Sequence, residues 1–163
     1  MQKELSTKTI NSILEKYEPQ RHNIIKALHS LQDAHPLHYI SNSILDAVSS
    51  FFNITKAETY GIVTYYSMFS IKPRGYHIIR LCQSPVCSML NIKDLLNHLA
   101  DRWQLKPGIT TEDSMFTLET VECLGACDNA PAMMVNEQLY TELSKARIDE
   151  ILTHLKEAYH KNL

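Results

Sequence analysis

The sequence predicts an α/β protein in which an N-terminal helical bundle precedes a domain of mixed strands and helices. Apolar residues recur at helical spacing through the first third of the chain. The segment Lys72-Pro-Arg-Gly75 then breaks this pattern. After the break, short β-rich segments and helical segments follow in the order β-α-β-β-α, which permits a sheet with helices packed on it. We therefore expect the helical bundle over residues 1–72 and the second domain over residues 73–163.

Three helices are predicted before the break. The first is indicated by apolar residues at helical spacing, namely Ile24, Ile25, Leu28 and Leu31. Pro36 interrupts it, and a second helix is expected to begin at Ser41 or Asn42, since both residue types are good N-caps. The third helix is predicted over Lys56 to Tyr66.

The strands predicted after the break lead towards cysteines. Tyr76 to Leu81 is β-rich and runs directly into Cys82. Phe116 to Val121 alternates enough for a strand and is followed closely by Cys123. Met133 to Val135 and the Leu139-Tyr140 pair are separated by Asn136-Glu-Gln, which predicts a hairpin.

Two helices are predicted in the second domain. Ile92 to Trp103 returns to helical spacing, and Lys106-Pro-Gly108 ends it. Ser144 is a candidate N-cap for the last helix. The residues of that helix expected to face inward are Ile148, Ile151, Leu152 and Leu155.

The predicted function rests on two short cysteine pairs. Cys82 and Cys87 are separated by four residues, Cys123 and Cys127 by three, and the chain has no other cysteine. Four thiolates from two loops can enclose one metal centre, so these residues are the predicted metal and cofactor ligands. The gaps resemble [2Fe–2S] ligation more closely than the two-residue gaps common in zinc ribbons, although a structural zinc site with four cysteine ligands also permits them. Disulfides are disfavoured because nothing indicates an oxidising compartment.

The loops between the paired cysteines contain residues that affect how donors reach the sulfurs. Gly125 is expected to let the backbone bend close to the second pair. Pro85 is expected to stiffen the first loop and to remove one N–H donor from it. Pro131 is expected to stop the chain from continuing as a helix after Cys127.

Composition limits the classes of partner and activity. The chain has 16 basic and 18 acidic residues and no basic stripe, so we expect no nucleic-acid partner. No apolar run reaches membrane-spanning length, and the first residues lack the pattern of a signal peptide, so we expect a cytoplasmic location without direct membrane insertion. No Gly-rich dinucleotide fingerprint is present and the eight histidines are scattered, so no catalytic residue is assigned.

Three segments resemble a known family. They are Val121-Glu-Cys-Leu-Gly-Ala-Cys127-Asp-Asn-Ala-Pro131, Glu58 to Tyr66 followed by Lys72 to Gly75, and Pro107 to Asp113 followed by Phe116-Thr-Leu118. Together they are similar to the small [2Fe–2S] subunit of NADH dehydrogenases, the 24 kDa subunit of respiratory complex I. Relatives of that subunit serve NAD(P)-linked hydrogenases and formate dehydrogenases. The resemblance covers roughly Leu45 to Leu155.

The resemblance implies a thioredoxin-like [2Fe–2S] domain behind the helical bundle, with one cluster held by Cys82, Cys87, Cys123 and Cys127. It implies an electron-transfer subunit of an NAD(P)H-linked multisubunit oxidoreductase, beside a flavoprotein subunit that binds FMN, NAD(P) and a [4Fe–4S] cluster. The parent complex is left open between a complex I-type NADH dehydrogenase, a soluble or electron-bifurcating hydrogenase and a formate dehydrogenase. Further iron–sulfur subunits of the parent complex are also implied. Many relatives have Thr or Pro immediately before the second cysteine, where this chain has Val86. The alternative from the residues alone is a zinc-binding assembly subunit without a redox role.

Overall fold

A computed structural model describes residues 4–161 of the chain, excluding the side chain of His160. Contacts divide the chain into two compact units, with the division between Arg74 and Gly75. In the described residues, no helix is long and apolar enough to cross a membrane.

The N-terminal unit is helical. Within residues 4–74 its helices are α1 (Thr7–Leu14), α2 (Ile24–Ala34), α3 (Asn42–Phe52) and α4 (Lys56–Tyr65), and a 3-10 turn (Arg21–Asn23) precedes α2. The three predicted helices are confirmed, with α4 ending one residue earlier than expected. α1, which buries Ile10 and Leu14, was not predicted as a separate helix.

Local capping explains where α4 begins. The Thr55 hydroxyl accepts a hydrogen bond from the Glu58 backbone N–H, and the Glu58 carboxylate accepts one from the Thr55 backbone N–H. This reciprocal pair satisfies two N–H groups at the helix start. The hydrogen bonds from Thr55 are the main reason that the pKa of Glu58 lies below its ordinary value.

One buried histidine lies in this unit. His35 is fully buried, its Nδ1 accepts a hydrogen bond from the Leu37 backbone N–H, and Nε2 has no hydrogen-bond partner among the described residues. The ring packs edge-on against Tyr39, with the centroids 4.3 Å apart. Burial lowers the pKa of His35; Glu4 acts in the opposite direction and His38 in the same one. The imidazole is therefore held in its neutral form.

The C-terminal unit contains a sheet covered by helices. In residues 75–161 the strands are β1 (His77–Cys82), β2 (Phe116–Val121), β3 (Met133–Val135) and β4 (Gln138–Tyr140), arranged in the order β2-β1-β3-β4. β1 pairs with β2 in parallel, whereas the β1–β3 and β3–β4 pairs are antiparallel. The predicted strands and hairpin are confirmed within one or two residues.

The helices of the C-terminal unit are α5 (Pro85–Met89), α6 (Ile92–Trp103) and α7 (Lys145–Lys161) among the described residues. Both predicted helices are confirmed, and α6 has the predicted bounds. Their apolar sides share one core with the strands, formed by residues such as Leu99, Ile148 and Leu152 with Ile79 and Leu118. The short helix α5 was not predicted.

A carboxylate links α6 to α7. Asp149 on α7 accepts a hydrogen bond from Trp103 Nε1 at 2.7 Å, lies 2.9 Å from His98 Nε2, and pairs with Arg102 at 3.1 Å. Burial opposes ionisation of Asp149, but these partners outweigh it and leave the pKa of the carboxyl below its ordinary value. The ionised carboxylate therefore fixes the two helices to each other.

Gly75 allows the chain to pass close to β2. A Cβ at this position would lie 2.6 Å from the Phe116 backbone carbon and 2.9 Å from the Met115 backbone carbon. The Gly75 N–H also donates a hydrogen bond to the Thr117 hydroxyl at 2.6 Å. Only glycine fits this approach without displacing backbone atoms.

Candidate metal centre

The four cysteines lie at one edge of the C-terminal sheet. Cys82 is the last residue of β1, and Cys123 follows the end of β2 by two residues. β1 and β2 are neighbouring parallel strands, and Cys82 pairs in register with Val121, so their carboxyl ends meet at the same edge. Cys87 lies on α5, and Cys127 begins a 3-10 turn (Cys127–Asn129). The structure therefore brings the four predicted ligand residues to one region.

The expectation of an open loop between Cys82 and Cys87 is wrong. Pro85 is the first residue of α5, and Cys87 lies within that helix. At the first helical position the missing N–H of proline has no intrahelical partner to lose, and the fixed φ of the ring suits the helix. The Ser84-Pro85 pair is a recognisable helix-start signal that the sequence analysis did not use.

The first thiol pair is enclosed by protein. Cys82 is 2% exposed and Cys87 is 1% exposed. Burial alone would raise the pKa of Cys82, but hydrogen bonds from the Ser84 hydroxyl and from the backbone N–H groups of Ser84 and Leu124 outweigh it, so the pKa lies below its ordinary value. Burial raises the pKa of Cys87, with the Ala132 backbone N–H acting in the opposite direction. In this pair Cys82 is the thiol that ionises first.

The second thiol pair is exposed to solvent. The sulfurs of Cys123 and Cys127 are 3.3 Å apart, and all four cysteines of the chain are free. The Gly125 backbone N–H donates to Cys123 Sγ at 3.3 Å and is the main reason that the pKa of Cys123 is lowered. The neighbouring Cys123 raises the pKa of Cys127.

Gly125 takes the conformation that the second loop requires. Its φ is +79°, in the left-handed region, and this places its N–H against the Cys123 sulfur. Open space surrounds the position, since a Cβ built there would meet no atom within 4 Å. The predicted bend at Gly125 is confirmed. Glycine suits this position because of the positive φ and not because a side chain would lack space.

The donor set fits a [2Fe–2S] cluster. Such a cluster takes two ligands per iron, and here two pairs of thiols lie at one sheet edge. Bound to four thiolates it carries negative charge, and backbone N–H groups aimed at Cys82, Cys87 and Cys123 can stabilise that charge. In the part of the chain that the structure describes, no three or more His, Cys, Asp or Glu side chains are grouped to hold a single metal ion.

Several contributors to the site were not found from the sequence. Ser84 and the N–H groups of Leu124 and Ala132 contact the sulfurs, but nothing in a linear pattern marks a backbone N–H as a sulfur donor. Val86, beside Cys87, is exposed.

Comparison with known proteins identifies the class to which this fold and site belong. The chain belongs to the thioredoxin-like [2Fe–2S] ferredoxin family, whose model matches residues 10–156. A subunit of the NADH-quinone oxidoreductase of Rhizobium meliloti is 32% identical over 149 residues, covering 91% of this chain and 88% of that protein. The corresponding subunit of Buchnera aphidicola is 34% identical over 155 residues, covering 93% of this chain and 94% of that protein.

These relatives confirm the predicted family resemblance, the thioredoxin-like fold of the second domain and the [2Fe–2S] class of cofactor. The corresponding subunit of Escherichia coli is another such relative, 33% identical over 140 residues. The relatives are subunits of oxidoreductases, as the sequence analysis predicted.

Solved structures share the fold. An NAD+-reducing [NiFe]-hydrogenase in its air-oxidised state matches with a TM-score of 0.74 and 24% identity, covering 83% of this chain. This chain spans only 23% of the hydrogenase chain that it matches, so that likeness concerns the fold alone.

Proposed function

We propose that this chain is an electron-transfer subunit that carries one [2Fe–2S] cluster beside the flavoprotein subunit of an NAD(P)H-linked multisubunit oxidoreductase. In this proposal Cys82 and Cys87 ligate one iron, and Cys123 and Cys127 ligate the other. The observation that carries it is the meeting of both thiol pairs at the carboxyl ends of β1 and β2, with hydrogen-bond donors aimed at the sulfurs. Family membership and the names of the relatives support the same assignment.

The bound cluster would supply one-electron chemistry, which complements a flavin that accepts hydride as two electrons. The protein supplies a frame in which Cys82 is fixed at the end of a paired strand and Cys87 on a helix start. The backbone N–H groups of Leu124, Gly125 and Ala132 offset negative charge on the sulfurs. In this proposal no residue of the chain makes or breaks a bond in a substrate.

The proposed partner carries the other cofactors. We assign FMN, NAD(P) and a [4Fe–4S] cluster to the flavoprotein subunit, with further iron–sulfur subunits completing the complex. The relatives that are subunits of NADH-quinone oxidoreductases favour a complex I-type enzyme. A soluble or electron-bifurcating hydrogenase or a formate dehydrogenase is the alternative parent complex.

The partner is proposed to cover the cysteine-bearing edge of the sheet. Exposed apolar side chains of α5 and the residue after it flank buried Cys87, namely Val86, Met89 and Leu90, and Met89 is 83% exposed. Cys123 and Cys127 are exposed at the same edge. A stable interface needs about 800 Å² from each partner, so we propose that the N-terminal helical bundle over residues 1–72 supplies a second contact.

Hydrogen exchange on the isolated chain and on the complex tests this face. New protection in the helical bundle, in residues 83–86 and in residues 124–131 is expected when the flavoprotein subunit binds. Protection confined to α7 would assign docking to a different face and contradict the proposal.

Metal analysis tests the assignment of the cluster. Anaerobically purified protein is expected to contain two irons and two acid-labile sulfides per chain, in keeping with two-iron ligation. Its visible absorption should bleach with dithionite, and the reduced protein should give an S = 1/2 EPR signal. Stoichiometric zinc without iron would instead establish a structural zinc-binding assembly subunit in which the four cysteines hold the zinc.

Two further expectations enter the proposal. The division of the chain into a bundle ending at residue 72 and a domain from residue 73 lies two residues before the division between compact units at Arg74 and Gly75. A cytoplasmic location is proposed on the sequence expectation alone, and fractionation of the source cells would test it.

A further inference from the structure

Ser84 occupies a helix-start position but does not cap the helix. It is the N-cap residue of α5, yet its hydroxyl makes no hydrogen bond to the N–H groups of that helix. Serine is favoured at this position because its oxygen usually accepts such a bond. The side chain is buried, at 7% exposure, and its oxygen lies 3.2 Å from Cys82 Sγ. The hydroxyl is therefore directed at a sulfur rather than at the helix.

The Ser84 hydroxyl lies against the first thiol pair. Cys82 is the last residue of β1 and a predicted ligand of the cluster. A metal-bound thiolate carries no proton, so the hydroxyl must donate in any bond to a ligand sulfur. The hydroxyl can therefore supply its one proton to a ligand sulfur at the end of β1.

We propose that Ser84 is a positioning residue whose hydroxyl, donating to the Cys82 sulfur, raises the reduction potential of the [2Fe–2S] cluster. This inference rests on the proposed function. Reduction adds a negative charge to a centre that is already negative, and a donor to a ligand sulfur stabilises that charge. Hydrogen bonds to the sulfurs are among the features that set iron–sulfur potentials.

The test compares potentials of matched variants in the full chain. Ser84→Ala removes the hydroxyl, Ser84→Thr keeps it, and Ser84→Val has the shape of threonine without it. Ser88→Ala is the control, because the Ser88 hydroxyl of the same helix donates to the Gln83 carbonyl rather than to a sulfur. Each anaerobic protein is titrated by visible absorption and EPR against mediators of known potential.

Ser84→Ala is expected to change the reduction equilibrium of the cluster tenfold in favour of the oxidised form. This corresponds to a reduction potential lower by about 59 mV for a one-electron couple. Ser84→Val should shift in the same direction, while Ser84→Thr and Ser88→Ala should stay near the wild-type value. Resonance Raman spectra supply a second readout, since the Fe–S(Cys) stretching bands should lose part of their sensitivity to D2O in Ser84→Ala but not in Ser88→Ala. Equal potentials in Ser84→Ala, Ser84→Val and wild type would overturn the inference.

Failure to bind a cluster is also informative. Loss of the cluster from Ser84→Ala and Ser84→Val with retention in Ser84→Thr supports a role for the hydroxyl. Loss from all three, with Ser88→Ala intact, overturns it, because the size of serine would then be what matters. A wild-type protein without a cluster would contradict the proposed function, whereas an intact cluster with an unshifted potential contradicts only the role of Ser84.

Discussion

Replacing Gly125 by alanine is expected to destabilise the C-terminal unit and to weaken the hold on the metal centre. Gly125 has a φ of +79°, and its N–H donates to Cys123 Sγ at 3.3 Å. A side chain in left-handed backbone costs roughly 1–2 kcal/mol. Because a Cβ at this position meets no atom within 4 Å, no steric cost adds to this conformational cost. We therefore expect a loss of about 1–2 kcal/mol in the free energy of unfolding.

Two other glycines provide matched comparisons. At Gly75 an added Cβ would lie 2.6 Å from backbone, so Gly75→Ala should cost about 3 kcal/mol or more, at or beyond the upper end for overpacking. Gly61 lies within α4 and an added Cβ meets nothing within 4 Å, so Gly61→Ala should stabilise the N-terminal unit by about 0.5–1 kcal/mol. The three substitutions are chemically identical and differ in the sign and size of the expected effect.

Urea unfolding of the cluster-free, reduced chain measures these differences. The single tryptophan, Trp103, packs in the C-terminal core against Phe116, with ring centroids 6.3 Å apart, so its fluorescence reports on the C-terminal unit. Gly125→Ala and Gly75→Ala should shift that transition, while the effect of Gly61→Ala should appear in helical circular dichroism. Reconstituted Gly125→Ala should also lose iron to a chelator faster than wild type. An unchanged midpoint in Gly125→Ala, beside a clear loss in Gly75→Ala, would refute the conformational argument.

Four further outcomes are expected. Cys127→Ala should abolish cluster binding and give a lower melting temperature than reconstituted wild type, because metal binding contributes to folding free energy. Equal melting temperatures for the variant and the wild type would show that the fold does not depend on the cluster. The isolated chain should not oxidise NADH, and NADH should reduce its cluster only after the flavoprotein subunit is added, as followed by visible absorption. Burial lowers the pKa of His35 from its ordinary value of about 6.5, so the unfolded chain binds the proton more readily than the folded one. The free energy of unfolding should therefore be highest above about pH 6.5 and fall as the pH drops below it. His35→Gln should reduce this pH dependence, as measured by urea unfolding from pH 5 to 8. Asp149→Asn should lower the free energy of unfolding by about 1–2 kcal/mol, in line with hydrogen bonds to charged groups. Asp101→Asn, at an exposed position of α6, is the control, and an equal loss there would refute a specific role for Asp149.

The elements of the fold that follow from local pattern could be predicted from the sequence. The bounds of α6 match because its apolar spacing ends at Trp103, shortly before Lys106-Pro-Gly108. β2 was predicted with the observed bounds, since its alternation is clear. Helices shorter than a few turns carry too few apolar repeats for the same argument. The five residues of α5 and the eight of α1 were therefore not separated.

The meeting of the two cysteine pairs at one sheet edge was predictable, but the groups around the sulfurs were not. Four cysteines in two short pairs indicate one centre, and the strand ends indicate where each pair begins. The parallel pairing that sets Cys82 opposite Val121 joins segments 39 residues apart, and no local pattern encodes it. The donors follow from that pairing, because the Leu124 N–H reaches Cys82 only when the two strand ends are adjacent.

The unequal enclosure of the two thiol pairs has a consequence for the rate at which charge can move. Sulfurs in contact with water couple every change of charge to reorientation of that water, whereas enclosed sulfurs meet dipoles that are already fixed. Cys82 and Cys87 are of the enclosed kind, and Cys123 and Cys127 face solvent. A protein bound over Cys123 and Cys127 would expel the water around their sulfurs. Assembly would then lower the reorganisation energy of electron transfer in the same step that shortens the distance the electron crosses.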